Sequence, residues 1–275
     1  MPSDGIHLKA AIVIAVVFVS LAIVHLWLGV DDEGDDSAGR GLETSTMQIT
    51  TDGRQLDLGI RATLTVEEMG ELIERRVAQL TSGQVSERRT SAIRLARMTN
   101  DGRERERLAD LEPGVLIRLR QALLAGLNDT DEMIPGYCRD ALIGLWRTPD
   151  TDAGAQLYAQ GLAAYEAQQF DLASQAFDSL QKLWSDLPPD VHRMRAEIAV
   201  SRSQPDEALA ECDRAIAIEP KHFIAYYVQA RAYGLRGDSA QAVRALDQAL
   251  AAYKGFTEAA DLRRKLLAEA APPQP

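Results

Sequence analysis

The chain has 275 residues, of which 46% are hydrophobic but only 5% aromatic, and its net charge is −11. That is material for one elongated helical domain or two small ones, and too apolar for a disordered chain. An acidic chain repels a phosphate backbone on average, so nucleic acid is not an expected partner. Cys138 and Cys212 are the two cysteines; they supply neither a disulfide framework nor a cysteine-based metal site, and Cys212 reads as a small buried apolar residue.

Residues 1–9 form a short tail. Residues 10–30 are apolar except for Ser20 and His25; at about 1.5 Å per residue they span ~31 Å, the thickness of a bilayer core. No Ala-x-Ala signal follows in His25-Leu26-Trp27-Leu28-Gly29-Val30, so an uncleaved transmembrane helix is expected, with Trp27 in the interfacial belt. Lys9 lies directly before this span, whereas Arg40 stands behind the acidic run Asp31 to Asp36, which favours an exported C-terminal domain. Residues 31–46, acidic and rich in Gly and Ser, form a flexible spacer. The alternation of Asp31, Glu33 and Asp35 invites a calcium-loop reading, but the sixth and twelfth loop positions are Asp36 and Leu42, where such a loop needs glycine and glutamate.

Residues 47–58 alternate around Asp52-Gly53, the signature of a small hairpin. Thr65-Val66-Glu67-Glu68 is a capping box opening a helix with Met69, Leu72, Ile73, Val77 and Leu80 on one face. Ser86 to Met98 and Val115 to Leu127, the latter introduced by Pro113, are further helices, and a fourth is expected around 130–147. Four helices before residue 154 leave two arrangements open: a continuation of the array that follows, or a separate bundle. The arginines between Arg75 and Arg120 are interleaved with acids, a pattern of exposed ion-paired helices.

From residue 154 one pattern recurs three times, in copies starting at Gly154, Pro189 and Phe223. The eighth position holds Gly161, Ala196 and Ala230; the twentieth Ala173, Ala208 and Ala242; the twenty-seventh Leu180, Ala215 and Ala249. Eight of these nine are Ala or Gly, although Ala and Gly make up 27 of the 103 residues in 154–256, so the enrichment is positional. Small residues at such places let paired helices approach closely, while Leu157, Phe170, Phe177, Tyr226, Tyr233 and Leu246 fill between layers. A period in this range marks stacked helix pairs. Residues 257–270 read as a capping helix and 271–275 as a disordered tail.

Tyr226, Ala230, Tyr233, Gly237-Asp238, Ala242, Leu246 and Ala249 resemble the tetratricopeptide (TPR) repeat family, and the likeness covers 154–256. The second copy has His192 and Ala199 where first-helix aromatics are usual, and the first has Leu180 for alanine. Ala141 to Trp146 and Pro220-Lys221-His222-Phe223 also resemble a group of small bacterial members in which a helix ending in tryptophan precedes the array. The resemblance implies an all-α chain: a transmembrane helix, a helical region, and an α-solenoid of about three helix pairs with a capping helix. It also implies that the first helices line a concave surface, placing there Tyr158, Leu162 and Tyr165, then Arg193 and Glu197, then Tyr227 and Arg231. Arginines beside tyrosines suit a carboxylate or an acidic peptide, because the guanidinium fork binds oxygens bidentately; the alternative is that these residues pair internally.

No metal spacing joins His7, His25, His192 and His222, and no phosphate loop or nucleophile–base pair is evident. No metal, cofactor or catalytic residue is expected. The function expected is a non-catalytic, membrane-anchored adaptor that binds a protein or peptide on its concave face. Self-association as part of a membrane complex, and an enzyme site within 47–147, are the alternatives.

Overall fold

The structure is a computed structural model that describes residues 48–51, 54–57, 64–147, 152–184 and 186–270. The transmembrane span expected at 10–30, the spacer at 31–46 and the tail at 271–275 lie outside these residues. No helix among the described residues is long and apolar enough to cross a membrane. The chain divides into two compact units, residues 1–63 and 64–275.

In the first unit β1 (Gln48–Thr51) pairs antiparallel with β2 (Arg54–Asp57), in the register Gln48 to Asp57 and Thr51 to Arg54. The alternation read from the sequence thus forms a hairpin.

The second unit is helical throughout its described residues. It begins with α1 (Val66–Leu80), α2 (Val85–Asn100), a short α3 (Gly102–Leu108), α4 (Pro113–Gly126) and α5 (Ile134–Trp146). The capping box closes as expected: the Glu68 N–H donates to Thr65 Oγ1 at 3.1 Å and the Thr65 N–H to Glu68 Oε2 at 2.6 Å. α1 packs on α2 and α4, and α5 packs on α2 and α4, a bundle rather than a string of stacked pairs. α2 and α5 come together closely because Gly144 has no side chain; a Cβ there would meet the Thr99 carbonyl oxygen at 2.5 Å. Surface arginines are ion-paired, Arg88 to Asp129, Arg89 to Asp131 and Arg118 to Glu74.

Three helix pairs follow: α6 (Asp152–Glu166) with α7 (Phe170–Leu183), α8 (Pro189–Ser201) with α9 (Pro205–Ile218), and α10 (Phe223–Leu235) with α11 (Ser239–Ala252). α12 (Thr257–Ala270) packs on α11. All nine small-residue positions of the repeat are buried. At Gly161 an added Cβ would sit 2.8 Å from the Phe177 ring, so glycine there makes room for the large residue opposite.

The turn inside each pair has one geometry. Gln168, Ser203 and Gly237 all take positive φ, at 59°, 57° and 78°. The next residue's N–H then reaches back five positions, from Gln169 to Ala164 and from Gln204 to Ala199 at 2.8 Å, and from Asp238 to Tyr233 at 3.0 Å. This left-handed helix stop is read easily in the third copy, where glycine occupies it, and is hidden by Gln and Ser in the others.

The bundle does not extend the array; it docks against it. Its core, which includes Leu108, Leu119, Leu142 and Trp146, continues into Phe223 and Tyr253 of the third pair. Asn128 reinforces the contact by donating from Nδ2 to the Ala252 carbonyl and accepting from the Lys254 N–H, and Arg120 bonds Glu219 at 3.1 Å.

Candidate functional site

The first helices of the pairs lie side by side, α6 touching α8 and α8 touching α10. Their facing positions carry the residues expected to bind a peptide, now arranged around two carboxylates.

The first carboxylate is Asp190, in the opening turn of α8, with no exposure to solvent. Arg193, one turn along, grips it bidentately, Nε to Oδ1 at 2.7 Å and Nη2 to Oδ2 at 3.0 Å. The Tyr158 hydroxyl donates to Oδ2 from α6. Arg147, just past α5, brings its Nε to 3.7 Å from the same oxygen and lays its guanidinium over the Tyr158 ring. Burial alone would raise the Asp190 carboxyl, but the charge and hydrogen bonds of Arg193 outweigh it and hold the group at about 2. The same burial, with the Asp190 charge beside it, pushes the Tyr158 phenol up.

His222 closes the network. Its Nδ1 accepts from the Ala225 N–H at 3.3 Å, capping α10, so the ring proton sits on Nε2, 3.8 Å from Asp190 Oδ1. Complete burial pushes this imidazole down to about 3 despite the nearby carboxylate, and it is neutral at ordinary pH. Trp146 stacks on the His222 ring with centroids 4.1 Å apart. The end of the bundle's last helix therefore covers this half of the first-helix row.

The second carboxylate, Glu197, stands two turns beyond Asp190. Arg231 of α10 bonds its Oε2, and the Tyr165 hydroxyl of α6 lies 3.4 Å from the same atom. Glu197 is 8% exposed, but the Arg231 side chain keeps 33% of its surface in solvent. The Arg231 guanidinium also sits 5.9 Å above the Tyr227 ring, which leans on Phe256. Tyr165, Leu162 and Tyr227 are partly exposed.

The six residues expected from the sequence therefore converge but divide into two classes. Tyr158 and Arg193 are turned inward on Asp190, and Glu197 is nearly covered; these serve as internal partners. Tyr165, Tyr227 and Arg231 keep accessible surface. Sequence reasoning missed Asp190, Arg147 and His222. The family resemblance also implies that the second position of each copy faces the concave surface; Asp190 occupies it in the second copy, and that position was its only signal. Arg147 and His222 are brought in by docking of the bundle, which nothing local announces. His192, where the third copy carries Tyr226 and the first Leu157, pairs with Glu211 at 2.7 Å, linking the two helices of its pair with a polar contact.

Cys138 and Cys212 are buried and free; burial pushes the Cys138 thiol up to about 12 and the Cys212 thiol higher still, away from thiolate chemistry. In comparisons with protein-family models and with curated proteins, the chain matches none.

Proposed function

We propose that the chain is a membrane-anchored adaptor of the TPR type that recruits a protein or peptide without catalysis. The anchor is the apolar run at 10–30, and Lys9 before it places the helical body on the exported side. The observation that carries the binding reading is the exposed half of the first-helix row. There Arg231 stands a third exposed between Tyr165, Glu197 and Tyr227. A carboxylate of the ligand shares the outer edge of the guanidinium, whose five donors exceed what Glu197 uses, while the tyrosine rings cover apolar segments beside it. Arg193 takes no part in this contact, since Asp190 already occupies its fork.

The test is a photo-crosslinking residue placed at Tyr165 or Tyr227 in cells, with the same residue at Gln248, exposed on α11, as control. A discrete adduct from the first two sites that vanishes with Arg231→Ala and is missing at Gln248 is the expected result. Adducts of equal yield at all three sites, or at none, would remove the row as the binding surface.

A further inference from the structure

The two ends of the array differ in kind. At the C-terminal end α12 presents Glu258, Asp261, Arg264, Lys265 and Glu269 to solvent, the charged cap that a helical-repeat array needs for solubility. At the other end, among the described residues, the outer face of α6 and α7 has no such cap. A groove of about 560 Å³ runs along it, lined by residues that include Leu157, Gln160, Ala163, Leu172, Gln175 and Ala176, and none of its lining residues is charged. Leu172 is 54% exposed. Between Asp152 and Glu166 every exposed position of α6 is Ala or Gln, in a chain that is 26% charged. A solvent-facing helix ordinarily carries charge on its outer side, and between its two ends this one carries none.

We propose that this face is a self-association surface, on which a second copy of the chain packs α6 and α7 against α6 and α7 about a two-fold axis. Charge selects the occupant. Two copies of a chain carrying −11 repel, and the approach that avoids juxtaposing like charges is through an uncharged window. The lining is also its own complement: a glutamine amide is both donor and acceptor and pairs with its symmetry mate, and Leu172 meets small residues that leave room for it. Because α12 closes the opposite end, head-to-tail stacking into a filament is blocked and the two-fold pairing terminates at a dimer. Two helices of 15 and 14 residues offer a footprint of roughly 22 by 20 Å. The total buried area is then about 900 Å², below the ~1,200–2,000 Å² of permanent interfaces, so the dimer is dissociable.

The surface is separate from the row that holds Arg231, so either can fail without the other. The purified full chain, in a non-denaturing detergent, is labelled with a short bis-maleimide in variants Gln160→Cys, Ala163→Cys and Gln175→Cys; the native cysteines are buried. Expected are a covalent dimer in at least one variant and a mass that rises with protein concentration. Leu172→Glu, with unchanged helix content, should abolish both, and raising salt tenfold should strengthen rather than weaken dimerisation, because it screens the repulsion between copies. A mass fixed at the monomer, or crosslinking that Leu172→Glu leaves intact, would each overturn the proposal.

Discussion

Arg193 and Arg231 each meet a carboxylate, and burial decides what their loss would do. Removing Arg193 strands the fully buried Asp190, for which an uncompensated charge costs about 3–5 kcal/mol. Arg193→Ala should therefore lower stability by that order in denaturant titration, and Asp190→Asn in the same chain should restore part of it. Arg231→Ala removes a partner from Glu197, which is 8% exposed rather than fully buried, and should cost less, about 1–3 kcal/mol. His222 adds a pH dependence. Its folded pKa is depressed from the ordinary 6.5 to about 3, so the unfolded chain binds a proton first as pH falls. Its contribution is complete above about pH 6.5 and is lost progressively down to about pH 3; Asp190, held at about 2, adds a further loss below pH 4. Melting temperatures measured at pH 7 and pH 4.5 should show a larger drop in the native chain than in His222→Asn, which keeps a capping acceptor and removes the titration.

The helix pairs depend on close crossings and on one turn geometry. Ala242 is fully buried where α11 crosses α10, and Ala242→Leu should destabilise by roughly 1–3 kcal/mol, whereas Gln248→Ala on the exposed side should change little. Equal melting of these two variants would contradict the packing described. The left-handed positions offer the opposite sign. Gln168 and Ser203 carry side chains at positive φ, where a Cβ is strained; Gln168→Gly and Ser203→Gly should each stabilise by up to about 1 kcal/mol, reduced by the extra entropy of glycine in the unfolded chain. A loss of stability in both would mean that the side chains contribute more than the backbone strain they bring.

The bundle and the array share one core through Trp146, Phe223 and Tyr253. Trp146 reaches both the aromatic cluster and the His222 ring over Asp190, so it joins apolar docking to the buried charge network. Trp146→Ala should cost about 3–5 kcal/mol and separate unfolding into two transitions, one for α1 to α5 and one for the pairs, when followed by hydrogen exchange. One transition with an unshifted midpoint would show that docking does not depend on this residue.

Much of this was legible in the chain itself. The recurrence of Ala and Gly at fixed positions gives the pairing of helices, because a close crossing tolerates nothing larger. Thr65 and Glu68 give a helix start, and the alternation in Gln48–Thr51 and Arg54–Asp57 gives a strand pair, because these depend on residues within a few positions. The sequence also marked a row of first-helix side chains as neighbours. Which of them are buried and paired was decided by tertiary structure, since burial and charge pairing depend on segments far apart in sequence. Arg193 looked like a ligand-binding arginine until the fold set it against Asp190 within its own helix and brought Tyr158, Arg147 and His222 to the same carboxylate. Whether residues 66–146 extended the array was open for the same reason: local periodicity makes amphipathic helices, but docking depends on the shape of the two surfaces that meet. Gly144 against Thr99 and Trp146 against His222 fixed that arrangement, and both contacts exist only in the folded chain.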